Sequence, residues 1–398
     1  MLFMNATRQG LTPALVMLMS VATGLCVASN YYVQPLLNTI AQQFDLSVSL
    51  AGFIVTTAQL GYACGLLLLV PLGDRFERRS LIVTMILLAA TGMVIIALSH
   101  TFLFLLLGTV MTGLFSVAAQ ILVPLAATLA EPERRGKIVG TVMSGLLLGI
   151  LLARTVAGGL AQLGGWRTVY WTASLLMVIM ALALWRSLPR VKQSVPMSYP
   201  QLLASIFRLY AGNRVIRTRA WTGCLSFANF SLLWTSMAFL LSGAPYHFSE
   251  GKIGLLGLVG ATGALAARQA GSLADKGKAK LTTRLGLLLM LLSWAAIAWG
   301  AKQLVPLIVG ILLLDLAVQA VHITNQSVIY AQMPEARNRL NAGYMTSYFI
   351  GGAAGSLLSA TAYHLAGWYG VCIAGVLLTL VNLLIWAGGS RFEPEKIN

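Results

Sequence analysis

A polar stripe runs along residues 303–331, a stretch that is otherwise apolar. At 100° per residue, four of its members lie within about 60° of one helix face, and the fifth flanks them. The stripe consists of Asp315, Gln319, His322, Asn325 and Gln326. A carboxyl and an imidazole can take up and release protons, and amides can hydrogen-bond a polar solute. These residue types at this spacing therefore favour proton exchange and solute binding, with hydrogen-bonded packing between helices as the alternative.

Asp315 is the one acidic residue predicted deep in an apolar stretch, and Arg154 is the candidate cation for it. Counted from the same ends of their helices, the two lie about 18 Å and 14 Å deep at 1.5 Å per residue. An isolated charge at the centre of a bilayer costs about 2.5–3.5 kcal/mol on insertion scales, so a partner is expected. We predict an Asp315–Arg154 pair that opens on protonation, the alternative being a static ion pair.

A second group of polar and aromatic residues is expected to line a solute cavity with the stripe. Amides would hold a polar group of the solute, and rings would hold its apolar body. One member matches His322 in an internal repeat described below. The expected residues are Asn30, Tyr31, Gln34, Gln120, Asn229 and Trp234.

No metal-binding or phosphate-binding motif accompanies these residues. The four cysteines fall far apart within apolar stretches, where the better interpretation is small buried side chains. We therefore expect no cofactor, no metal and no enzymatic activity. A membrane-embedded enzyme stays open as an alternative because catalytic triads are not local in sequence, and a receptor or channel is a further one.

The elements that position these residues follow from composition. The chain has 398 residues, of which 58% are hydrophobic and 10% charged, whereas a soluble domain carries about 25% charged residues. Its apolar runs match the ~20 residues that a helix needs to cross a bilayer. We predict an all-α membrane protein with twelve spans, at 12–36, 48–72, 80–99, 102–129, 137–163, 167–186, 218–243, 252–273, 281–300, 303–331, 341–364 and 367–388.

The net charge of +16 is explained by topology and not by nucleic-acid binding. Only three of the 27 Lys and Arg residues lie in odd-numbered loops and two lie inside spans; the others lie in or at the edges of the even-numbered loops and tails. This positive-inside bias predicts a multi-pass protein of the inner membrane with both termini in the cytoplasm. We expect the lipid bilayer, a small-molecule substrate and protons as its partners, no nucleic acid, and a monomer.

A basic, proline-containing segment divides the chain into two halves. Residues 187–217 are expected to form a cytoplasmic linker with a short helix on the membrane surface. They separate six helices in 1–186 from six helices in 218–398. The halves repeat at an offset of 202 residues, as in Gly165-Trp166 and Gly367-Trp368, which is typical of transporters built from parallel repeats.

The loop after span 2 carries a recognisable motif. Its residues, Gly73-Asp74-Arg75-Phe76-Glu77-Arg78-Arg79, are similar to the signature Gly-x-Leu-x-Asp-Arg-x-Gly-Arg-Arg, and a second copy runs from Gly271 to Lys278. On these motifs the chain resembles the major facilitator superfamily over nearly its whole length. The resemblance implies two pseudo-symmetric six-helix bundles and alternating access. It also implies a conformational clamp formed by Asp74, Arg75, Arg78 and Asp275.

The glycine-rich span 5 resembles the motif of the drug:proton antiporter branch. Its small residues, from Gly145 to Gly159, are expected to let it approach the other half closely. Such antiporters often have an acid in helix 1, where this chain has Asn30 and Gln34, so the proton carrier is expected at Asp315. The resemblance implies a proton-coupled exporter of a small polar or amphipathic molecule, with a uniporter or symporter of the same fold as alternatives.

The topology can be checked with single cysteines in a cysteine-free background. Residues 75–79 and 190–217 should react only with reagents that reach the cytoplasm, and residues 247–251 only with reagents applied outside. Labelling of 190–217 from the outside would contradict the division into two six-helix halves.

Overall fold

The computed structural model describes residues 11–131, 134–191, 197–266, 278–333 and 336–392. Fourteen α-helices make up most of this part of the chain. They are α1 (Pro13–Ala28), α2 (Leu37–Gln43), α3 (Val48–Leu68), α4 (Arg78–Leu98), α5 (Phe102–Phe115), α6 (Ala119–Leu129), α7 (Arg135–Gly164), α8 (Trp166–Ser187), α9 (Tyr199–Gly212), α10 (Arg214–Ser242), α11 (Glu250–Ala266), α12 (Ala279–Trp299), α13 (Leu304–Gln332) and α14 (Arg337–Ser390).

The helices account for twelve spans. Within the described ranges, nine helical segments are long and apolar enough to cross a membrane. The last of these contains two spans, because Ala366 and Gly367 have non-helical backbone angles. Helices α1 and α11, of 16 and 17 residues, occupy the positions of predicted spans 1 and 8. The predicted all-α membrane fold is confirmed.

Spans 1 and 4 are not the continuous helices that the sequence predicts. Regular α-helix stops at Ala28, and a 3₁₀ turn at Gln34–Leu36 leads into α2. Pro35 explains the first break, since its ring opposes the carbonyl four residues earlier and it has no N–H. The second break, at Ser116–Ala118, meets the first: the hydroxyls of Ser29 and Ser116 lie 2.7 Å apart. Irregular backbone at membrane depth is tolerated where protein covers it, as here.

Helix α10 lies at the centre of the molecule, since 94% of an apolar 18-residue stretch within it is buried. It packs along α14, which in turn packs against α3 of the first half (α1–α8). Close approach of α3 and α14 depends on small residues: a Cβ built on Gly52 would overlap Ala360. The Thr56 hydroxyl donates to the Ala353 carbonyl at 3.4 Å across the same contact.

The short helix expected in the linker is present as α9. Leu202 and Ile206 are buried, whereas Phe207 is 61% exposed. Its two tyrosines contact different halves: Tyr199 donates to the Leu68 carbonyl at 2.7 Å and Tyr210 to the Leu340 carbonyl at 2.6 Å. The domain boundaries at 186 and 218 stay predictions.

The glycines of α7 make two different contacts. A Cβ on Gly145 or Gly149 would overlap backbone atoms of Ser20 or Gly24, so this part of α7 packs on α1 of its own half. Only further along does α7 reach the other half, where a Cβ on Gly158 would overlap the Glu250 carbonyl. The expected approach of span 5 to the other half therefore applies to its later turns.

A pair of substitutions on α7 tests this packing. Gly149→Ala should lower the free energy of unfolding by about 1–3 kcal/mol, because the methyl group meets backbone atoms of α1 that cannot move aside. Gly159→Ala is the matched control: nothing lies within 4 Å of its Cβ, and alanine favours the helix by up to about 1 kcal/mol. Equilibrium unfolding in detergent micelles measures both. Equal stabilities of the two variants would contradict the close α1–α7 contact.

Candidate functional site

Arg154 is the centre of a cluster formed by both halves. Its side chain is 2% exposed, and its Nε donates to Oε1 of Gln34 at 2.5 Å. The guanidinium carbon lies 4.0 Å from the ring centroid of Trp234, 4.9 Å from Tyr31 and 5.2 Å from Phe230. A desolvated cation on an aromatic face gains about 2 kcal/mol or more. The three rings therefore form an aromatic cage, Tyr31–Phe230–Trp234, around the charge of Arg154.

Asp315 binds the edge of the Trp234 indole. The carboxyl is 3% exposed, and its Oδ1 accepts a hydrogen bond from Trp234 Nε1 at 3.3 Å. The described residues show no nitrogen–oxygen contact within 4.0 Å between Arg154 and Asp315. The predicted pair thus takes another form, in which one indole receives the cation on its face and binds the carboxylate with its N–H. The two charges still interact electrostatically.

A glycine stripe on α11 makes room for this arrangement. Gly254 and Gly257 face Arg154, and a Cβ on Gly260 would overlap Oδ2 of Asp315. Residues three positions apart on a helix point in directions that differ by about 60°. The successive glycines of the stripe therefore face α7 first and α13 further along the helix. Sequence reasoning missed it, although the regular spacing of glycines at 251, 254, 257 and 260 was a usable signal.

Several buried polar atoms of Arg154 and of the helix break before Pro35 have no hydrogen-bond partner among the described residues. They are Arg154 Nη2, Gln34 Nε2 and Asn30 Oδ1. Arg154 and Gln34 also line a cavity of about 10 Å³ whose other walls are mostly apolar. Such a cavity has room for about one water, and each unpaired buried group costs ~1–3 kcal/mol. The cluster is therefore closed around polar groups that still require a partner.

A second polar network, which the sequence did not reveal, lies within the second half (α10–α14). Arg219 is fully buried, and its Nη1 donates to Thr283 Oγ1 at 2.6 Å and to Asn325 Oδ1 at 3.0 Å. Asn325 Nδ2 donates to the Tyr344 hydroxyl at 3.4 Å, and that hydroxyl lies 3.1 Å from Nδ1 of His322. From the sequence, Arg219 counts among the basic residues at loop edges, because it is only the second residue of the predicted span 218–243. His322 and Asn325 thus belong with Arg219.

Other predicted cavity residues lie away from Arg154. Asn229 faces α12 and α14, since its Oδ1 accepts from Trp294 Nε1 at 2.9 Å and from Thr379 Oγ1 at 3.0 Å. Gln326 donates to Asn341 at 3.4 Å, and Gln319 is half-buried. A helical face spans several turns, so residues that share it are distributed along the length of α13.

Gln120 likewise lies apart from the cluster, donating from Nε2 to the Tyr62 hydroxyl at 3.4 Å. The residues that the structure brings together are therefore a subset of those predicted. They are Tyr31, Gln34, Arg154, Trp234 and Asp315, whereas Asn30 is buried in the same helix break as Gln34 and its Nδ2 donates to the Val27 carbonyl at 3.5 Å.

The predicted clamp loop packs within the first half. Arg78 is 3% exposed; its Nη2 lies 3.5 Å from Oδ1 of Asp74, and its Nη1 donates to Thr128 Oγ1 at 3.3 Å. Arg75 is exposed, and Asp275 lies outside the described residues.

Glu77 stands where the signature has glycine, and it caps the first turn of α4. Its carboxylate accepts from the backbone N–H groups of Arg79 and Ser80 at 2.9 and 3.1 Å. Partial burial by itself raises the pKa of Glu77, but these hydrogen bonds, the Ser80 hydroxyl and the charge of Arg79 together lower it below its usual value.

The two ends of the molecule differ in how the halves meet. At the end that carries Glu250, Glu250 binds the Thr39 hydroxyl, and Gln162 Nε2 donates to Ser249 Oγ at 2.6 Å. At the end that carries Asp74, a cavity of about 50 Å³ is lined by both halves and includes Asp74, Gln120 and Arg339. Hydrogen bonds between the halves therefore close the site towards Glu250.

Comparisons with known proteins place the chain in a family. The model of the Major Facilitator Superfamily matches residues 19–302 and 220–397. The chain is 67% identical to the uncharacterized transporter YgaY of Escherichia coli O157:H7 over 386 residues, which cover 97% of this chain and 98% of the relative. It is 26% identical to the inner membrane transport protein YnfM of Escherichia coli K12 over 363 residues, or 89% of this chain and 85% of the relative.

The fold is similar to that of solved transporters. A bacterial homologue of the human lysosomal transporter Spinster, in an inward-facing and occupied conformation, superposes with a TM-score of 0.79 at 16% sequence identity. The match covers 96% of this chain and 98% of the homologue. At this identity the likeness concerns the fold.

The clamp loop yields a prediction. Asp74→Asn should reduce the initial rate of substrate flux at least tenfold while membrane insertion and expression stay near wild type, because the amide removes the charge that partners Arg78. Asp45→Asn, the same change at an exposed acid, is the control and should keep wild-type flux. Flux into inverted vesicles measures both variants. A wild-type rate in Asp74→Asn would contradict the conformational clamp and leave the motif only a role in membrane topology.

Proposed function

This chain belongs to the major facilitator superfamily, and from that premise we propose that it is a proton-coupled secondary transporter that exports a small polar or amphipathic molecule by alternating access. The observation that carries the proposal is the Arg154–Trp234–Asp315 arrangement. It joins α7 of the first half to α10 and α13 of the second at membrane depth. A charge change at that junction acts directly on how the halves meet.

Asp315 is the proposed proton carrier. Its carboxylate accepts from Trp234 and is attracted by Arg154 while it is ionised. Protonation removes that attraction and leaves Arg154 without a compensating anion, so the electrostatic link between α7 and α13 weakens. The halves then separate at the Glu250 end, where hydrogen bonds such as Gln162–Ser249 and the packing of α7 on α11 hold them. His322, bonded to Tyr344, can change charge without direct contact with this junction.

The cellular setting is part of the proposal. The distribution of basic residues supports a cytoplasmic location for both termini and for the linker at 187–217. The name of the relative YnfM supports the inner membrane. Export rests on the likeness of α7 to the antiporter motif, and the monomeric state stays a prediction.

Proton symport of an anion is a second candidate, favoured by the unpaired donors of Arg154 and Gln34. The side chains of the site supply one cation and one carboxylate. A bound anion together with a proton on Asp315 restores the same net charge, and buried net charge is costly. In that case the proton and the solute move in the same direction.

The Asp315→Asn variant tests proton coupling separately from substrate exchange. The variant should lose proton-driven accumulation and keep substrate exchange, because Trp234 can still donate to the amide oxygen while the titratable group is gone. Substrate-induced proton movement in proteoliposomes, together with counterflow of labelled substrate, measures the two properties. The direction of proton movement distinguishes antiport from symport.

Two outcomes would contradict the role of Asp315. Unchanged proton coupling in Asp315→Asn would exclude it as the carrier. Loss of exchange as well would make it a substrate ligand or a structural partner of Trp234. Asp45→Asn is again the matched control, since it makes the same change at an exposed position.

A further inference from the structure

The unpaired groups at Arg154 are mainly hydrogen-bond donors. Gln34 uses its Oε1 to accept from Arg154 Nε, which leaves its Nε2 as a donor. Arg154 Nη2 and Gln34 Nε2 each carry two N–H groups without an acceptor among the described residues, against one unpaired acceptor, Asn30 Oδ1. The missing partner is therefore an acceptor group with several lone pairs.

The positive charge of Arg154 indicates that the acceptor group belongs to an anion. Arg154 is 2% exposed and lies over the face of the Trp234 indole, whose N–H binds Asp315. Its positive charge consequently lies on aromatic faces, with no carboxylate oxygen of a described residue within 4.0 Å. A carboxylate accepts from a guanidinium with two parallel hydrogen bonds that are about twice as strong as neutral ones. A cationic solute would be repelled by the same group.

The residues around Arg154 indicate the chemical nature of the uncharged part of the anion. Met237, Ala238 and Ile253 form apolar walls of the small cavity that Arg154 and Gln34 line. The rings of Tyr31 and Phe230 meet edge-on with centroids 6.3 Å apart beside it. An aromatic or cycloaliphatic ring fits such walls by burial of apolar surface. The present volume of about 10 Å³ admits only the size of one water, so the solute enters when the halves separate.

We propose that the central site binds small monocarboxylates with a ring as their apolar body, with the carboxylate on Arg154 Nη2 and Gln34 Nε2. This inference rests on the proposed transport through the central site and holds for either direction of transport. It assigns Gln34 as the residue that distinguishes a carboxylate from a neutral solute.

The test is binding of matched acids and amides to the purified full-length protein in detergent. The probes are benzoate, phenylacetate and cyclohexanecarboxylate, each compared with its primary amide, and titration calorimetry measures the affinities. We expect the acids to bind at least about tenfold more tightly than their amides, because a charged hydrogen-bonding partner contributes ~1.5–3 kcal/mol. Acids no tighter than their amides would overturn the proposal.

Gln34→Glu is the decisive variant. It keeps an oxygen for Arg154 Nε and replaces the Nε2 donor by a negatively charged oxygen, so the acids should bind at least about tenfold more weakly. Gln42→Glu makes the same change at an exposed position of α2 and should keep wild-type affinity. Arg154→Lys keeps the charge without the planar fork and should weaken binding as well. Wild-type affinity in Gln34→Glu would contradict the assigned site, even if Arg154→Lys fails to fold.

Flux of labelled benzoate into proteoliposomes separates this inference from the proposed function. Binding that depends on Gln34 without any flux would support the site and contradict transport through it. Proton-coupled flux of neutral or cationic solutes, with no binding of the acids, would support the transporter and overturn the anion site.

Discussion

Charge at membrane depth has to be compensated by the protein itself, and at the centre of this molecule two opposite charges share one indole. Trp234 receives Arg154 on its ring face and donates its N–H to Asp315. This arrangement requires α7, α10 and α13 to meet at one depth. The small residues of α11 allow it, because a side chain at Gly260 would occupy the place of the Asp315 carboxylate. The packing of four helices is therefore tied to one electrostatic requirement.

The polar groups of the backbone at membrane depth are also compensated by the protein. Peptide groups in the hydrocarbon layer need partners within the protein. At the first interruption the Ser29 hydroxyl donates to the Cys26 carbonyl at 2.7 Å, and it also meets the Ser116 hydroxyl of the second interruption. The interruption before Pro35 also has a consequence for the site. It places Gln34 so that its Oε1 accepts a hydrogen bond from Arg154 Nε.

Two polar networks in the described membrane region have different neighbours. The cluster around Arg154 connects the two halves, whereas Arg219, Asn325, Tyr344 and His322 connect helices of the second half alone. A change of charge in the first network alters contacts between halves. A change in the second alters packing inside one half. This difference in position is why we propose Asp315, and not His322, as the group whose charge is coupled to alternating access.

The sequence by itself determined the twelve-span helical fold and the family, because hydrophobic length, loop charge and the two loop motifs are local properties. It also identified Arg154 and Asp315, since a charge in an apolar run is visible without a structure. Only the tertiary structure decided that Trp234 contacts both of them, that Asn229 faces α12, and that Arg219 is buried. Helical periodicity gives the direction of a side chain around its own axis. It does not give the rotation and depth of the neighbouring helix, and those two quantities decide which polar groups meet.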